Sequence, residues 1–295
     1  MRPTVTIGIC VRNCEASLTK AVDSILDQDF PLKDMEVIFV DDGSEDATYS
    51  IILESIARMD IEARVYHNNW MGLGVARNVV VDNAKGDYIV WVDGDMILPK
   101  DHVRKQVEFM KRNPTGGIAK AKYSAFVEEN LVAALENIPF VVDDVSAGNE
   151  WKTASKLPGT GGSIYRVKAI RQVGGFDDHL KGTGEDQDAA YRVKKAGWSI
   201  YRTNAVFYEE RSKTWKDIWR RYVWYGYGDY DLFLKNRRIF SLQKMTPIAG
   251  FIAGVLYSIV AYRLTHQKVV FLLPFHFAFK MTAWCFGFLK GYMGK

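Results

Sequence analysis

Several things are scarce in this 295-residue chain, and each scarcity removes a class of answer. Cysteine occurs at Cys10, Cys14 and Cys285 alone. Such an odd, uneven set cannot be the disulfide framework of a small secreted domain, and no second Cys or His pair lies near Cys10 and Cys14 to complete a zinc site. Net charge is scarce too: 39 basic side chains stand against 35 acidic ones, a balance of +4 that gives no support to nucleic acid as a partner. An export signal is not visible, because Met1-Arg2-Pro3-Thr4-Val5 passes straight into a strand-like run. No Gly-rich loop ends in Gly-Lys-Ser or Gly-Lys-Thr, which excludes a P-loop kinase or ATPase. The segment from Gly72 to Arg77 begins like a dinucleotide fingerprint, yet Arg77 stands where the third Gly belongs and the segment follows the third apparent strand. A dehydrogenase is therefore rejected.

What is present is apolar residue in quantity, 48% of the chain, arranged with two periods. Short apolar runs at Thr4–Val11, Met35–Val40, Ala63–His67 and Tyr88–Val92 read as strands. Between them Ala16–Asp27, Ala47–Arg58 and Gly72–Asn83 read as helices. This alternation predicts an α/β fold with a mixed, mostly parallel sheet and helices on both faces, since strands this apolar must be covered on each side. Beyond Pro99 the pattern predicts a helix to Arg112, a strand at Gly117–Tyr123, a strand at Gly161–Tyr165, a helix at Asp186–Ala196 capped by Gly197, and short strands at Trp198–Tyr201 and Ala205–Tyr208. Val127–Leu157 carries no readable period.

The C-terminal third changes character. Trp215, Trp219, Tyr222, Trp224, Tyr225, Tyr227, Tyr230 and Phe233 are interleaved with Lys216, Arg220, Arg221, Lys235, Arg237 and Arg238. This suits a segment lying at a membrane interface, and equally a helix packed on a catalytic domain. Pro247–Tyr262 and Val269–Leu289 follow, both apolar and near the length of a spanning helix, although His276 and Lys280 interrupt the second. The expected organisation is a catalytic domain over 1–212, an aromatic and basic segment over 213–244 and hydrophobic membrane helices over 245–295. The flanking cations lead to the expectation that the catalytic domain is cytoplasmic.

In an open α/β sheet, ligands bind beyond the carboxyl ends of the strands, so acids directly after apolar strands are the candidates. Val40-Asp41-Asp42-Gly43-Ser44 is one such place, with Ser44 a possible cap of the next helix; Asp-Gly-Ser is also ordinary turn chemistry. Trp91-Val92-Asp93-Gly94-Asp95 is the second. Two carboxylates two residues apart at a strand end can converge on one hard cation that also bridges a diphosphate. Arg77, near a helix start, can pair with phosphate. Glu185 and Asp186 precede a helical run, where an ionised carboxylate is stabilised and ready to accept a proton, or where it is simply a cap.

Taken in order, Cys10-Val11-Arg12-Asn13, Val40 to Ser44, Gly74-Val75-Ala76-Arg77-Asn78, Val92 to Asp95, Gly174-Gly175-Phe176-Asp177 and Gly184-Glu185-Asp186 resemble the family 2 glycosyltransferases of GT-A fold. The resemblance implies a UDP- or GDP-sugar donor held by Cys10, Arg12, Asn13, Asp41, Asp42, Arg77, Asp93, Gly94, Asp95, Gly161 and Gly162. It implies Mg²⁺ or Mn²⁺ on Asp95 and Asp93, and Asp186 as catalytic base with Glu185 beside it, so that the anomeric centre inverts. The Gln-x-x-Arg-Trp motif of processive relatives is not met by Asp217 to Tyr222, so a single transfer is expected. Membrane lipid and a lipid-linked or glycan acceptor are the expected partners. A metal-dependent nucleotidyltransferase on a similar sheet and a non-catalytic nucleotide-sugar-binding protein are the alternatives.

Overall fold

The computed structural model describes residues 3–124, 130–147, 151–152, 157–180 and 183–294. Parts of the unread stretch between Val127 and Leu157, and Gly182, lie outside them. The chain divides into two compact units, one of Met1–Tyr123, Asn149–Lys181 and Glu185–Glu209, the other of Ser124–Gly148, Gly182–Gly184 and Glu210–Lys295.

The first unit is built on a mixed sheet. β1 (Val5–Val11), β2 (Met35–Asp41), β3 (Glu62–His67) and β4 (Tyr88–Trp91) are parallel neighbours in the order β3-β2-β1-β4. They are connected through α1 (Leu18–Leu26), α2 (Thr48–Ala57) and α3 (Leu73–Asn83). Every residue of β2 and β4 is buried, which requires cover on both faces and explains why these strands lack polar alternation. After β5 (Met96–Ile97) and α4 (His102–Arg112) come β6 (Gly116–Tyr123), α5 (Leu131–Ala147), which belongs to the second unit, and β7 (Trp151–Lys152). β8 (Ser163–Arg166) inserts antiparallel between β4 and β6. α6 (Val167–Gln172) and α7 (Glu185–Lys195) follow, and β9 (Ser199–Glu209) lies parallel to β6, with β5 and β7 antiparallel on it.

Three local expectations are corrected. Gly161 and Gly162 are in a turn, and the strand begins at Ser163. The two strands expected before and after Thr203 are the single strand β9. Thr203 is fully buried, but its hydroxyl donates to Gln106 Oε1 at 3.3 Å, so a polar residue continues the strand without an unmet hydrogen bond. Ser44 does not cap α2: its hydroxyl serves Asp41, and Asp46 Oδ1 accepts from the Thr48 amide at 3.0 Å.

The second unit is helical. It contains α5, α8 (Trp215–Lys235), α9 (Pro247–Thr265) and α10 (Leu273–Met293). Gly226 on α8 and Gly287 on α10 each face the other helix's backbone, so closely that a Cβ at either would collide with a carbonyl oxygen. Only Gly250, Gly254, Ser258 and Ala261 of α9 are buried, while Ile248, Phe251, Ile252, Val255, Leu256, Ile259 and Val260 are exposed. The Pro247–Thr265 and Lys268–Met293 segments are long and apolar enough to cross a membrane, with mean hydropathies of 1.6 and 1.5.

Between α5 and α10 lies a buried ionic cluster. Glu136 Oε1 meets His276 Nε2 at 2.8 Å and accepts from Lys280 Nζ at 2.7 Å. Burial raises the Glu136 pKa, but the His276 hydrogen bond and the Lys280 charge outweigh burial and bring it down to about 2. A carboxylate held below its usual 4.5 stabilises the fold at all higher pH and loses that contribution only as pH falls towards about 2. Glu136→Ala leaves Lys280 buried without its carboxylate. The expected cost is about 3–5 kcal/mol, measured by denaturant unfolding of the detergent-solubilised chain at neutral pH.

Candidate active site

The carboxyl ends of β1, β2 and β3 carry an interlocked set of loops. Asn13, at φ 52°, accepts from the Glu45 amide through its Oδ1 at 2.8 Å, and its own amide donates to Ser44 Oγ at 2.9 Å. Arg12 donates to the Gly43 carbonyl at 3.2 Å and reaches Glu45 at 3.3 Å. Its guanidinium lies 5.3 Å from the ring centre of Trp70, a side chain 60% exposed. Trp70 and His67 are not among the candidates that the sequence alone points to. The signal for both was their place at and just past the end of β3, the next strand along from Asp41.

Asp41 is fully buried and occupied from both sides: Ser44 donates to Oδ1 through its hydroxyl and amide, and His67 Nδ1 is 2.7 Å from Oδ2. Asp42 accepts from the amides of Met71 and Gly72, each at 2.9 Å. These carboxylates therefore shape the β2–α2 and β3–α3 loops. Cys10 is half-buried, and burial pushes its thiol up to about 12, so it is neutral at physiological pH and a poor nucleophile. Cys14 is likewise pushed up, to about 11.

Past β4 the chain turns at Asp93-Gly94-Asp95 and enters β5. Gly94 is required by space, since a Cβ there would sit 2.9 Å from Val11 Cγ1 and 3.0 Å from Cys14 Sγ. The turn 159–161 gathers the acids: a Cβ on Gly159 would lie 3.1 Å from Asp186 Oδ2, and one on Gly161 would run into Asp93 Oδ2. Asp93 and Asp186, 93 residues apart in the chain, thus border one short segment. Lys120 holds that segment by donating to the Gly161 carbonyl, and its Nζ sits 5.0 Å from the Phe207 ring centre.

Burial raises the Asp93 pKa, Arg77 opposes the rise, and Glu209 and Asp186 add to it. An all-oxygen donor set with an excess of carboxylate suits a hard divalent cation, which needs one or two protein carboxylates when phosphate oxygens complete its shell. Asp93 and Asp95, both on the turn after β4, are carboxylates of the type such an ion takes. Among the described residues, three close ligand side chains occur together at Asp177, Asp178 and His179, but there His179 Nδ1 lies 3.1 and 2.8 Å from the two carboxylates, which accounts for the grouping.

Arg77, expected at a phosphate, is occupied otherwise. Its side chain is 7% exposed and pairs with Glu185 Oε1. Burial drives the Glu185 pKa upward, Arg77 resists, Asp186 adds to the rise, and the result is about 7. A folded pKa above 4.5 means that the native chain keeps a proton the unfolded chain has released. Glu185 then costs nothing below pH 4.5, and stability falls as pH rises from 4.5 to about 7. The expected result is that the melting temperature of Glu185→Gln gains on wild type across that window and runs parallel to it above. Parallel curves throughout would show Glu185 titrating at its ordinary value.

A family model described as Glycosyl transferase family 2 matches residues 6–174, more than half the chain. The chain belongs to glycosyl transferase family 2. This family 2 member is 27% identical over 241 residues to "Probable glycosyltransferase YdaM" of Bacillus subtilis (strain 168), covering 79% of this chain and 57% of that protein. It thus spans little more than half the length of that relative. The solved structure of mannosyltransferase PcManGT from Pyrobaculum calidifontis, in complex with GDP-Man and Mn²⁺, shares the fold with a TM-score of 0.71 at 17% identity, over 100% of this chain and 88% of that one. S. aureus TarS 1–349 in complex with UDP-GlcNAc has a TM-score of 0.55 at 18% identity, over 99% of this chain and 92% of that one. The GT-A fold expected from the motifs is the fold observed, and family membership displaces the nucleotidyltransferase alternative.

Proposed function

We propose that this family 2 member transfers a sugar from a UDP- or GDP-sugar to a lipid-linked or glycan acceptor at a membrane, inverting the anomeric centre in a single transfer. The observation that carries this reading is the approach of Asp93 and Asp186 to the same turn, 159–161. Asp93 and Asp95 would hold Mg²⁺ or Mn²⁺, which when bound there offsets the charge growing on a departing nucleoside diphosphate. Asp186 takes the proton of the acceptor hydroxyl as its oxygen attacks the anomeric carbon opposite the leaving group, and one displacement inverts the centre. The loops tied together by Arg12, Asn13, Asp41 and Asp42, with Cys10 beneath them, receive the base and ribose, and Gly94, Gly161 and Gly162 leave room for the diphosphate and sugar.

Support for the donor class comes from the two fold relatives solved with nucleotide sugars. In this reading 1–212 carries catalysis, 213–244 lies at the membrane interface and 245–295 anchors. The exposed apolar surface of α9 supports the anchor, and Lys235, Arg237, Arg238 and Lys244 just before it support a cytoplasmic catalytic domain. The test is incubation of the full chain in native membranes with GDP-mannose or UDP-N-acetylglucosamine and Mn²⁺, with the new linkage assigned by NMR. A β-glycoside is expected from these α-linked donors. A retained α linkage, or release of pyrophosphate, would overturn the reading.

A further inference from the structure

Arg77 lies on α3, whose Ala76, Val80 and Val81 are in the core against the sheet, so its Cα has a fixed place. From there the side chain does not point to open space. It is 7% exposed, its Nη1 pairs with Glu185 Oε1, and its guanidinium stands 5.8 Å from the ring centre of Phe176. The next residue, Asn78, grips the same Phe176 through its backbone, donating to the carbonyl at 2.9 Å and accepting from the amide at 2.8 Å. Adjacent residues of one helix therefore hold both the loop after α6 and the first residue of α7.

Glu185 is that first residue, directly after Gly184 at φ +93°. Glu185 is 2% exposed and its Oε2 is buried with no hydrogen-bond partner among the described residues. Such a carboxylate is expensive, and a buried ion pair seldom repays its desolvation as stability; what it does supply is a unique position. Next in the chain is Asp186, whose Oδ1 accepts from the Gln187 amide at 2.7 Å. Its carboxylate therefore turns with the start of α7.

We propose that Arg77 and Glu185 are a positioning pair: Arg77, acting through Glu185, fixes the start of α7 and with it the Asp186 carboxylate, and Arg77 is not a ligand of the donor phosphates. This rests on the reading of Asp186 as the base. A displacement of about 1 Å in a reacting group costs on the order of 10²-fold in rate, so a distant anchor can matter as much as a contact.

The experiment compares Arg77→Met, Arg77→Lys, Glu185→Gln and the double variant Arg77→Met/Glu185→Gln with wild type, by three measurements. These are kcat with whichever of GDP-mannose or UDP-N-acetylglucosamine wild type turns over, the Kd of GDP and UDP with Mn²⁺, and amide hydrogen exchange over 185–190. Expected are a fall in kcat on the order of 10²-fold in Arg77→Met and in Glu185→Gln, with diphosphate Kd changed by less than about threefold and faster exchange at the start of α7. The double variant should be no worse than the poorer single one, because both break one link. Arg77→Lys should recover part of the rate, and it takes the place of Arg77→Met should that variant not fold. A tenfold or greater loss of GDP or UDP affinity in Arg77→Met, with Glu185→Gln unaffected, overturns the proposal and makes Arg77 a phosphate ligand. Wild-type kcat in both variants alongside an inactive Asp186→Asn overturns the positioning pair alone, whereas wild-type kcat in Asp186→Asn overturns the base assignment beneath it.

Discussion

Asp186→Asn is expected to lower kcat by about 10²–10⁴-fold, as loss of a general base would, and to leave donor affinity near wild type. The amide keeps the size of the carboxylate and can still accept from the Gln187 amide, so the start of α7 is retained while proton acceptance is lost. The effect belongs to the transition state, because the acceptor hydroxyl needs a base only as its oxygen attacks. The measurement is a kcat and KM pair together with donor binding by calorimetry. A parallel loss of rate and donor affinity would mean that Asp186 is a cap for α7. An unchanged rate would remove the base, and a wild-type chain that binds nucleotide sugars without turnover would revive the non-catalytic alternative.

Removing divalent cations is expected to be as severe. With excess chelator, or in Asp95→Ala, turnover should fall on the order of 10³-fold, equivalent to several kcal/mol of lost stabilisation at the leaving diphosphate. Mn²⁺ or Mg²⁺ should restore the chelated wild type but not the variant. Asp95→Ala is chosen because Asp93 also packs against Gly161, so its replacement would disturb the turn 159–161 as well as the ion. The readout that separates metal loss from misfolding is a thermal shift: Mn²⁺ with GDP or UDP should raise the melting temperature of wild type and not of Asp95→Ala. Full activity in chelator would remove Asp93 and Asp95 from the metal site.

Much of the catalytic unit could be read in advance because its signals are local. The runs that form β1, β2 and β4 are legible from apolar residue type, being buried along nearly their whole length, whereas β3 is the partly exposed edge of the sheet. Gly197, at φ +95° just after α7, ended that helix as a Gly should. α5 was not legible, since Pro139 interrupts its period and the groups that satisfy Glu136 lie 140 and 144 residues away. Ser44 reads as a possible cap of the next helix from its place after the Asp-Gly turn, but its hydroxyl bonds Asp41, three residues behind it in the chain.

The amino-acid sequence by itself determined the family, the alternation of strand and helix, and which acids stand at strand and helix ends, because residue type and spacing carry those properties. Only the tertiary structure decided what each charged group faces. Arg77 meets a carboxylate 108 positions away, and Asp93 and Asp186 border one turn from opposite sides of the chain's order. Electrostatic partnership depends on distance in space and on desolvation, and neither quantity exists until the chain has packed.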